Sequence, residues 1–301
     1  MSSAEVAASL VKKLEPEDWK VLHGLERALV AYEEVPLHRL VKGTKLHKEE
    51  VEYRLKRLNE ANLIVHGPRG YTLLTAGLDA IALRAFTKKG FIKGMGKALG
   101  VGKEADVFEA IGERGELYAI KFYRIGRISF RDIRRKRAYI SPLHQHPWLL
   151  VNIQAAKREF WALSQLKPYK ISGPDVIAQE RHAILMKKIE GSLLPEWPQL
   201  PEPVATLKQI LKDIRTAYVD AQIVNGDLSE FNILFDGKKP WIIDWPQAIP
   251  SSHPNATILL DRDVVNIVKF FKRRYDVKCP IEPASFYVRG WRDSVEVRIG
   301  R

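Results

Sequence analysis

Hydrophobic residues recur at helical spacing in three stretches of the first sixty positions, and each stretch predicts a helix. The first begins at Pro16, because proline is favoured at the first position of a helix. Its apolar positions are Trp19, Leu22, Leu25 and Leu29. A short second helix is predicted after Pro36, and a third is predicted over residues 47–61. The chain therefore opens with a predicted three-helix segment.

A β-hairpin is predicted directly after the third helix. Its strands are residues 63–66 and 71–74, and the Gly-Pro-Arg-Gly sequence at 67–70 supplies the turn. Three helices followed by a hairpin resemble a winged helix, with the third helix as the reader and Arg69 at the tip of the wing. The basic residues expected to face mostly outward on the third helix are Lys48, Arg54, Lys56 and Arg57. Winged helices contact either nucleic acid or proteins, and the near-neutral charge of residues 1–90 leaves both readings open.

A connecting helix over residues 78–86 leads into a region where short apolar runs predict strands and longer periodic runs predict helices. The predicted strands are 117–122, 183–186, 233–235 and 241–243, and the predicted helices are 153–166 and 261–275. The last two strands form a hairpin closed by a turn at Asp236 and Gly237. The second region is therefore predicted to mix helices and strands.

The most informative polar residues flank that last hairpin. Asp227 and Asn232 precede its first strand, and Asp244 follows its second. A carboxylate such as Asp227 can orient a hydroxyl or water nucleophile, and the side-chain oxygens of Asn232 and Asp244 are suitable ligands for Mg²⁺. The hairpin would hold both metal ligands at the mouth of one cleft. This spacing predicts a phosphoryl-transfer site, with an ordinary surface loop as the alternative.

A glycine-rich segment precedes the strand that carries Lys121. Glycines let backbone N–H groups approach phosphate oxygens, and a lysine on the neighbouring strand can neutralise them. The predicted nucleotide contacts of this segment are Gly100, Val101, Gly102, Lys103, Glu104, Asp106 and Val107. Lys121 needs an acidic partner, and the candidate is Glu159, beside the apolar face of the helix at 153–166. Glu104 and Glu109 are the less favoured alternatives.

The charge of the chain predicts a polyanionic partner. The net charge is +13, and residues 91–150 contribute 12 basic and 6 acidic groups. A basic surplus concentrated in this way indicates nucleic acid as the first candidate partner. A lysine-rich surface of the kind found in thermophiles is the alternative. No apolar run is long enough to span a membrane, and the single Cys279 suits a reducing compartment, so we expect a cytoplasmic protein.

Much of the basic surplus lies in the basic arm, which we define as residues 124–137, between Lys121 and Glu159. Its basic residues are Arg124, Arg127, Arg131, Arg134, Arg135, Lys136 and Arg137. The arm is predicted to bind RNA or to close on the nucleotide, and a solvated loop is the alternative. Ser129 and Tyr139 are hydroxyls that it could bring to the active site, and Ser129 is a candidate for autophosphorylation.

These motifs, in this order, resemble a RIO-type atypical serine/threonine kinase of the RIO-two branch, and the chain is archaeal-like. The matching segments are GVGKEADV, AIKFYRIG, SFRDIRRKR, KREF, ILMKKIEG, NGDLSEFN, IIDWPQ and LDRDVVNIVKFF. The resemblance implies an α+β protein with a winged-helix domain over residues 1–85 and a small bilobal protein-kinase-like RIO domain over residues 86–301. Its N-lobe is expected over residues 91–186 and its C-lobe over residues 190–301.

The resemblance also implies a function and partners. It implies a kinase or ATPase that depends on ATP and Mg²⁺, with Mn²⁺ as an alternative metal, and that acts in maturation of the small ribosomal subunit. The winged helix and the basic arm would contact the rRNA of the precursor particle, and no membrane is involved.

Individual site residues follow from the same resemblance. Asp227 matches the catalytic Asp, Lys121 matches the nucleotide-binding Lys, and the metal ligands match Asn232 and Asp244. In a kinase-like fold the segment from Ala183 to Gly191 hinges the two lobes. The expected adenine contacts in this segment are Met186 at the back of the pocket, and Lys187 and Ile189 at the adenine edge.

Two positions depart from the family pattern. Ala105 stands where many relatives have Ser, and Asn225 stands where His is common. The stretch after Asp244 is short and lacks an Ala-Pro-Glu element, which favours one dedicated substrate, or ATP hydrolysis, over broad peptide phosphorylation. One alternative function is a small-molecule phosphotransferase of aminoglycoside-kinase type, which would want an acidic cleft. The other is a winged-helix nucleic-acid-binding regulator with a degenerate kinase domain, which the presence of all four catalytic positions disfavours.

Overall fold

The computed structural model of the chain describes residues 1–29, 31–126 and 147–300. It mixes helices and strands, as the sequence predicts. The contacts divide it into two compact units. The first unit is Met1–Gln154 with Ala178–Leu185, and the second is Ala155–Ile177 with Met186–Arg301. The boundary between domains after residue 85 stays a prediction. The basic arm from Arg127 onward, with Ser129 and Tyr139, lies outside the described residues.

The first unit opens with helices and a hairpin in the predicted order. The helices are α1 (Ser3–Leu10), α2 (Pro16–Ala28), α3 (Leu37–Thr44), α4 (Lys48–Glu60) and α5 (Thr75–Lys88), and the hairpin strands are β1 (Ile64–His66) and β2 (Tyr71–Leu73). The strands pair antiparallel with Val65 opposite Thr72. The helices and hairpin of the winged-helix order are thereby confirmed.

Helix α1 was not predicted from the apolar pattern. It buries only the small side chains of Ala4 and Ala7, which pack it against α5. Its start is stabilised by a capping box, in which the Ser2 hydroxyl accepts from the Glu5 N–H and the Glu5 carboxylate accepts from the Ser2 N–H. Two buried alanines leave little periodic signal, so the capping box is the feature that marks this helix in the sequence.

The prediction that Arg54 faces outward on α4 is wrong. Arg54 is buried, and its Nε donates to Glu50 at 2.7 Å while its Nη1 donates to Glu15 at 2.7 Å. Arg57, also on α4, forms ion pairs with Glu15 and Asp18. Glu15 and Asp18, at the start of α2, lie beside α4 and neutralise Arg54 and Arg57. Two of the four basic side chains expected to face outward on the predicted recognition helix are therefore paired with acids.

A five-stranded sheet follows in the order β3-β4-β5-β7-β6, and most of its residues belong to the first unit. The strands are β3 (Gly94–Val101), β4 (Ala105–Ile111), β5 (Leu117–Tyr123), β6 (Val176–Glu180) and β7 (Ala183–Lys187). The pairs β3–β4 and β4–β5 are antiparallel. Strand β3 was not predicted, because its glycines and exposed positions give no alternating apolar pattern. Its register shifts twice between Met95 and Gly100.

Arg124 does not belong to an exposed basic arm, because it is buried in an ion cluster. Its two terminal nitrogens donate to the Asp79 carboxylate on α5 at 2.9 and 2.8 Å, and its Nε donates to Asp106 on β4 at 3.0 Å. The His182 ring nitrogen Nε2 lies 2.7 Å from Asp79. This arrangement satisfies both edges of the guanidinium. The cluster ties α5, which follows the β1–β2 hairpin, to the sheet within the first unit.

The second unit is mostly helical. Helix α6 (Pro147–Leu166) begins before the predicted start at 153. Helices α7 (Pro203–Val219), α8 (Ala256–Tyr275) and α9 (Ile281–Val288) pack against one another, and the sequence predicted only α8. The short strands are β8 (Ser192–Leu193), β9 (Ile223–Val224), β10 (Ile233–Phe235), β11 (Pro240–Ile242), β12 (Ile249–Pro250), β13 (Val277–Lys278) and β14 (Arg298–Ile299). Each helix within residues 1–29, 31–126 and 147–300 is too short or too polar to span a bilayer.

Candidate active site

Asp227 lies in a loop that Asn225 ties to the segment of Asp244. The buried Asn225 side chain accepts a hydrogen bond from the Asp227 N–H at 3.1 Å through its Oδ1. Through its Nδ2 the same side chain donates to the Asp244 carbonyl at 3.0 Å. One amide thus fixes the backbone positions of both acids. This role suits an amide, which offers a donor and an acceptor on a single planar group.

Asp263 on α8 holds the same loop from the other side. Its carboxylate accepts from the Gly226 N–H at 2.8 Å and from the Leu228 N–H at 3.0 Å, so the two bonds bracket Asp227. Asp263 is 1% exposed, and burial raises the pKa of its carboxyl to about 6. Asn266, one turn later on α8, donates to the Leu228 carbonyl at 3.1 Å. The helix therefore presents a polar edge that defines the loop's path.

The loop requires a glycine beside Asp227. Gly226 has a φ of +79°, a conformation that favours glycine, and a Cβ there would lie 3.2 Å from the Gln247 carbonyl oxygen. Its own carbonyl accepts from Arg262, which lies beside Asp263 on α8. The Arg262 guanidinium also lies 3.7 Å from the Asp227 carboxylate. The Asp227 side chain remains 70% exposed, so it is accessible to a substrate.

The two predicted metal ligands lie at the ends of the hairpin formed by β10 and β11. Ile233 pairs with Ile242, and the Ile243 N–H donates to the Asn232 carbonyl at 2.8 Å, which places Asn232 beside the segment that ends at Asp244. The Asn232 Oδ1 accepts from the Ser229 hydroxyl at 2.6 Å. The predicted turn is confirmed, since Gly237 has a φ of +90° and the Asp236 carboxylate accepts from the N–H groups of Lys238 and Lys239.

This donor set fits Mg²⁺. An amide oxygen and a carboxylate are hard oxygen ligands, and protein-bound Mg²⁺ usually keeps several waters and takes the rest of its shell from substrate phosphates. Asp244 has a φ of +72°, an uncommon conformation for a residue other than glycine. No group of three or more His, Cys, Asp or Glu side chains that could hold a metal occurs within the described ranges. A metal at Asn232 and Asp244 would therefore share its shell with a ligand and solvent.

Glu159, the predicted partner of Lys121, is buried on α6. Its Oε1 accepts from the Trp245 N–H at 2.9 Å, directly after Asp244 in the chain. A glutamate that is 1% exposed is unusual on a helix, since most helical glutamates face solvent. Glu159 thus contacts the metal-ligand segment of its own unit, a contact that the sequence did not predict. Its pairing with Lys121 stays a prediction.

In the first unit three predicted residues share one row across the sheet. Gly100 on β3 lies opposite Val107 on β4, and Val107 lies opposite Lys121 on β5. Directly opposed residues of antiparallel strands project from the same face, so the Lys121 side chain and the Gly100 position share a face. A Cβ at Gly100 would meet no atom within 4 Å. The backbone there is open to an approaching phosphate group.

The rest of the glycine-rich segment forms a tight exposed turn. The Gly102 N–H donates to the Ala105 carbonyl at 2.8 Å, and Val101, Lys103 and Glu104 are exposed. Asp106 differs from its neighbours, because it is buried and accepts from Arg124. That bond gives Asp106 a structural role, and its contact with nucleotide stays a prediction.

The predicted adenine-binding residues lie at the end of strand β7 and directly after it. Met186 is buried, as expected for a residue at the back of a pocket. The Lys187 N–H donates to the Asp175 carbonyl at 2.9 Å, and its exposed side chain pairs with the Asp175 carboxylate at 3.1 Å. The Lys187 N–H is therefore already engaged in a hydrogen bond within the protein. The backbone N–H of Ile189 is the remaining predicted donor to the adenine edge.

The residues missed from the sequence are Arg262, Asp263 and Asn266 on α8. The signal was present, because Asp263 falls in the apolar repeat of that helix. The buried positions around it are Leu260, Val264, Ile267 and Phe271. A carboxylate within the apolar face of an amphipathic helix needs a buried partner. Here the partners are backbone amides of residues 226–228, the predicted catalytic loop.

Comparisons with known proteins cover most of the chain. The RIO domain family matches residues 106–283, and the family described as the Rio2 N-terminal domain matches residues 11–89. The RIO-type serine/threonine-protein kinase Rio2 of Methanocaldococcus jannaschii is 40% identical over 248 residues, covering 80% of this chain and 91% of that protein. The chain belongs to the RIO kinase family.

The chain is also similar to Rio2 kinases from fungi. The serine/threonine-protein kinase rio2 of Schizosaccharomyces pombe is 33% identical and covers 89% of this chain and 79% of its own length. The crystal structure of the Rio2 kinase from Chaetomium thermophilum, as a complex with ADP, Mg²⁺ and phosphoaspartate, superimposes with a TM-score of 0.78. That structure is 30% identical and covers 89% of this chain and 83% of its own. The RIO resemblance and the α+β fold expected from it are confirmed.

Proposed function

We propose that this RIO kinase transfers the γ-phosphoryl group of ATP, with Mg²⁺ as its metal, as a serine/threonine protein kinase and ATPase. The observation that carries the proposal is the frame around Asp227. Asn225 and Asp263 fix the loop of this exposed carboxylate, and Asn225 joins it to the segment that bears Asp244. A preorganised carboxylate beside a metal-ligand pair is the arrangement that phosphoryl transfer requires.

We assign metal binding, phosphate binding and adenine binding to separate sets of residues. Mg²⁺ at Asn232 and Asp244 would neutralise phosphate charge as the phosphoryl group transfers. Lys121 projects from the same sheet face as the open backbone of Gly100, which supports its assignment to phosphate binding. Met186 and Ile189 are the residues that we assign to the adenine. The buried Glu159 carboxylate positions the backbone directly after Asp244.

Two roles are open to Asp227, and they give different products. As a base, it takes the proton of a substrate hydroxyl, whose oxygen attacks the γ-phosphorus and displaces ADP. As a nucleophile, its own carboxylate oxygen attacks the γ-phosphorus, displaces ADP and forms a phosphoaspartate, and water then hydrolyses this acyl phosphate to inorganic phosphate and the free carboxylate. The phosphoaspartate in the Chaetomium complex supports the second role. The accessible Asp227 side chain, with the Arg262 cation beside it, suits either role.

A rapid-quench experiment with radiolabelled ATP separates these roles. A phosphoaspartate is an acyl phosphate that hydroxylamine cleaves, whereas phosphoserine and phosphothreonine survive this treatment. We expect a hydroxylamine-sensitive phosphoenzyme in the wild type and none in Asp227→Asn. Asp261→Asn is the matched control, because Asp261 lies on α8 but pairs with Arg289 instead of the loop. Turnover in Asp227→Asn equal to that of wild type would refute the assignment.

We also propose that the working context is the precursor of the small ribosomal subunit in the cytoplasm. The support is the family resemblance, the net charge of +13 and the arginines from Arg127 to Arg137. The winged helix contributes less charge than its sequence suggested, because Arg54 and Arg57 are engaged by acids. Its exposed basic residues on α4 are Lys48 and Lys56. ATP turnover measured with and without purified small-subunit precursors tests this context, and an unchanged rate contradicts it.

A further inference from the structure

A cavity of about 390 Å³ lies in the first unit, among the end of α1, the second half of α5 and the start of β3. Its volume falls within the range of small-molecule sites. The residues that line it are different from those predicted to bind the nucleotide, and neither the catalytic loop nor the glycine-rich turn takes part. The cavity is therefore a separate feature of the winged-helix end of this unit.

Arg84 is one of the cations that line this cavity. Its guanidinium carbon lies 4.1 Å from the ring centroid of the buried Trp19, so one face of the planar group is covered. Within the described part of the chain, no carboxylate lies within ion-pairing distance of Arg84, and burial lowers the pKa of its guanidinium. A partly desolvated cation without a counterion is costly. The uncovered N–H edge remains available to an anion from outside the chain.

Three lysines share the lining with Arg84 and raise the positive charge of the cavity. Lys12 follows α1, Lys88 ends α5, and Lys93 precedes β3, and all three line the cavity and are exposed. Glu113 is the single acid of the lining. Four cations against one carboxylate create a local potential that favours a multiply charged anion over a single carboxylate.

Apolar side chains form the other part of the lining. Val11, Leu83, Ile92 and Met95 supply this surface. We propose that the cavity binds a small organic phosphate, with the phosphoryl group on Arg84 and the lysines and an apolar body against these side chains. The arginine fork matches two phosphate oxygens, and the lysines neutralise the second charge. A volume of this size suits a small molecule better than a polymer.

Methionine methyl NMR tests the site directly, with phenyl phosphate as the probe. The chain has three methionines, and Met95 lines the cavity while Met186 marks the predicted adenine pocket. Phenyl phosphate should shift the Met95 resonance with one-to-one saturation and leave Met186 unchanged, including when a non-hydrolysable ATP analogue with Mg²⁺ is present. Inorganic phosphate and phenol, which each carry half of the recognised chemistry, should bind more weakly.

Charge variants separate binding from folding. Arg84→Ala should weaken phenyl phosphate binding about tenfold or more, because a charge-assisted fork is lost. The double variant Lys88→Gln and Lys93→Gln should also weaken binding, and it removes only exposed side chains. Lys89→Ala is the matched control, since Lys89 directly follows the same helix but pairs with Glu180 outside the lining. Its affinity should equal that of wild type.

Specific outcomes would overturn the proposal. A Met186 shift without a Met95 shift would place the probe in the nucleotide pocket. Equal affinity for phenyl phosphate in the wild type and the lysine double variant would remove the electrostatic argument. A short 5′-phosphorylated RNA that binds at Met95 more tightly than phenyl phosphate would replace the small molecule by nucleic acid.

Discussion

Replacing Asp263 with Asn should uncouple the catalytic loop from α8 while leaving the shape of the side chain intact. The wild-type carboxylate accepts two N–H groups, from Gly226 and Leu228, on either side of Asp227. An amide keeps one acceptor oxygen and turns an NH₂ group toward the other backbone N–H. One buried donor then loses its partner, and the remaining bond loses its charge assistance.

The structure sets the size of the effect. Hydrogen bonds to a charged group are worth about 1.5–3 kcal/mol each, so losing one and weakening another should cost about 2–4 kcal/mol of loop stability. The Asp227 carboxylate then samples positions outside the reactive geometry, and a displacement of about 1 Å costs about a hundredfold in rate. We therefore expect kcat for ATP turnover to fall about a hundredfold, with a smaller change in KM.

Steady-state ATP turnover and thermal unfolding should be measured together on Asp263→Asn, Asn266→Ala and Asp261→Asn. Asn266→Ala removes one neutral bond to the Leu228 carbonyl and should give an intermediate loss. Asp261→Asn alters an acid of the same helix that pairs with Arg289, and its kcat should stay near that of wild type. Equal kcat in Asp263→Asn and Asp261→Asn would refute the reasoning, because the loop conformation would then not depend on the hydrogen bonds to Asp263.

The raised pKa of Asp263, about 6 against an ordinary value of 3.8, adds a pH signature. The folded state keeps this proton between 3.8 and about 6, where the unfolded chain has released it. This group's contribution to the free energy of unfolding therefore falls as pH rises through that window, by about 3 kcal/mol. Activity should move in the opposite direction, because only the ionised carboxylate makes both bonds fully. Asp263→Asn should flatten both profiles relative to wild type.

The remaining predictions concern the metal, the lysine and the basic arm. Asp244→Ala should lower kcat by at least about a hundredfold even with excess Mg²⁺, because phosphate charge loses its neutralisation; wild-type turnover would remove Asp244 from the metal site. Lys121→Ala and Glu159→Ala should each lower ATP turnover, and the double variant should lose much less than the sum of the single losses; additive losses would reject the pair. Neutralising Arg134, Arg135 and Arg137 should weaken binding to small-subunit precursors and reduce the slope of affinity with salt by about 2–3. Basal ATP hydrolysis is the control for that triple variant, and loss of ATP affinity alone would make the arm an active-site lid.

The sequence predicted elements whose signal is local. Pro16 and the apolar repeat after it define α2, and the turn at Asp236 and Gly237 defines the hairpin between the metal ligands. These features depend on propensity and spacing, which a sequence displays directly. The family motifs likewise located the residues of the candidate site, although their roles stay predictions.

What the sequence could not supply was the partner of each charge. Arg54 and Arg124 were read as exposed cations, yet both are buried against acids distant in the chain. Whether an arginine faces solvent depends on which carboxylates the fold brings beside it, and Asp79 lies 45 residues from Arg124. Asp263 was missed for the same reason, since its partners are backbone amides of a loop rather than side chains with a sequence signature.

The two hydrogen bonds of the Asn225 side chain explain what an asparagine supplies at this position. Its side chain must accept from the Asp227 N–H and donate to the Asp244 carbonyl at the same time. A histidine at this position could do both only as the neutral tautomer, and the ordinary pKa of histidine is about 6.5. Below that pH both ring nitrogens become donors and the bond from the Asp227 N–H is lost. An amide keeps the donor and the acceptor at every physiological pH. The link between the catalytic loop and the metal-ligand segment is therefore insensitive to pH in this chain, and Asp263 is left as the group through which mild acid loosens the loop.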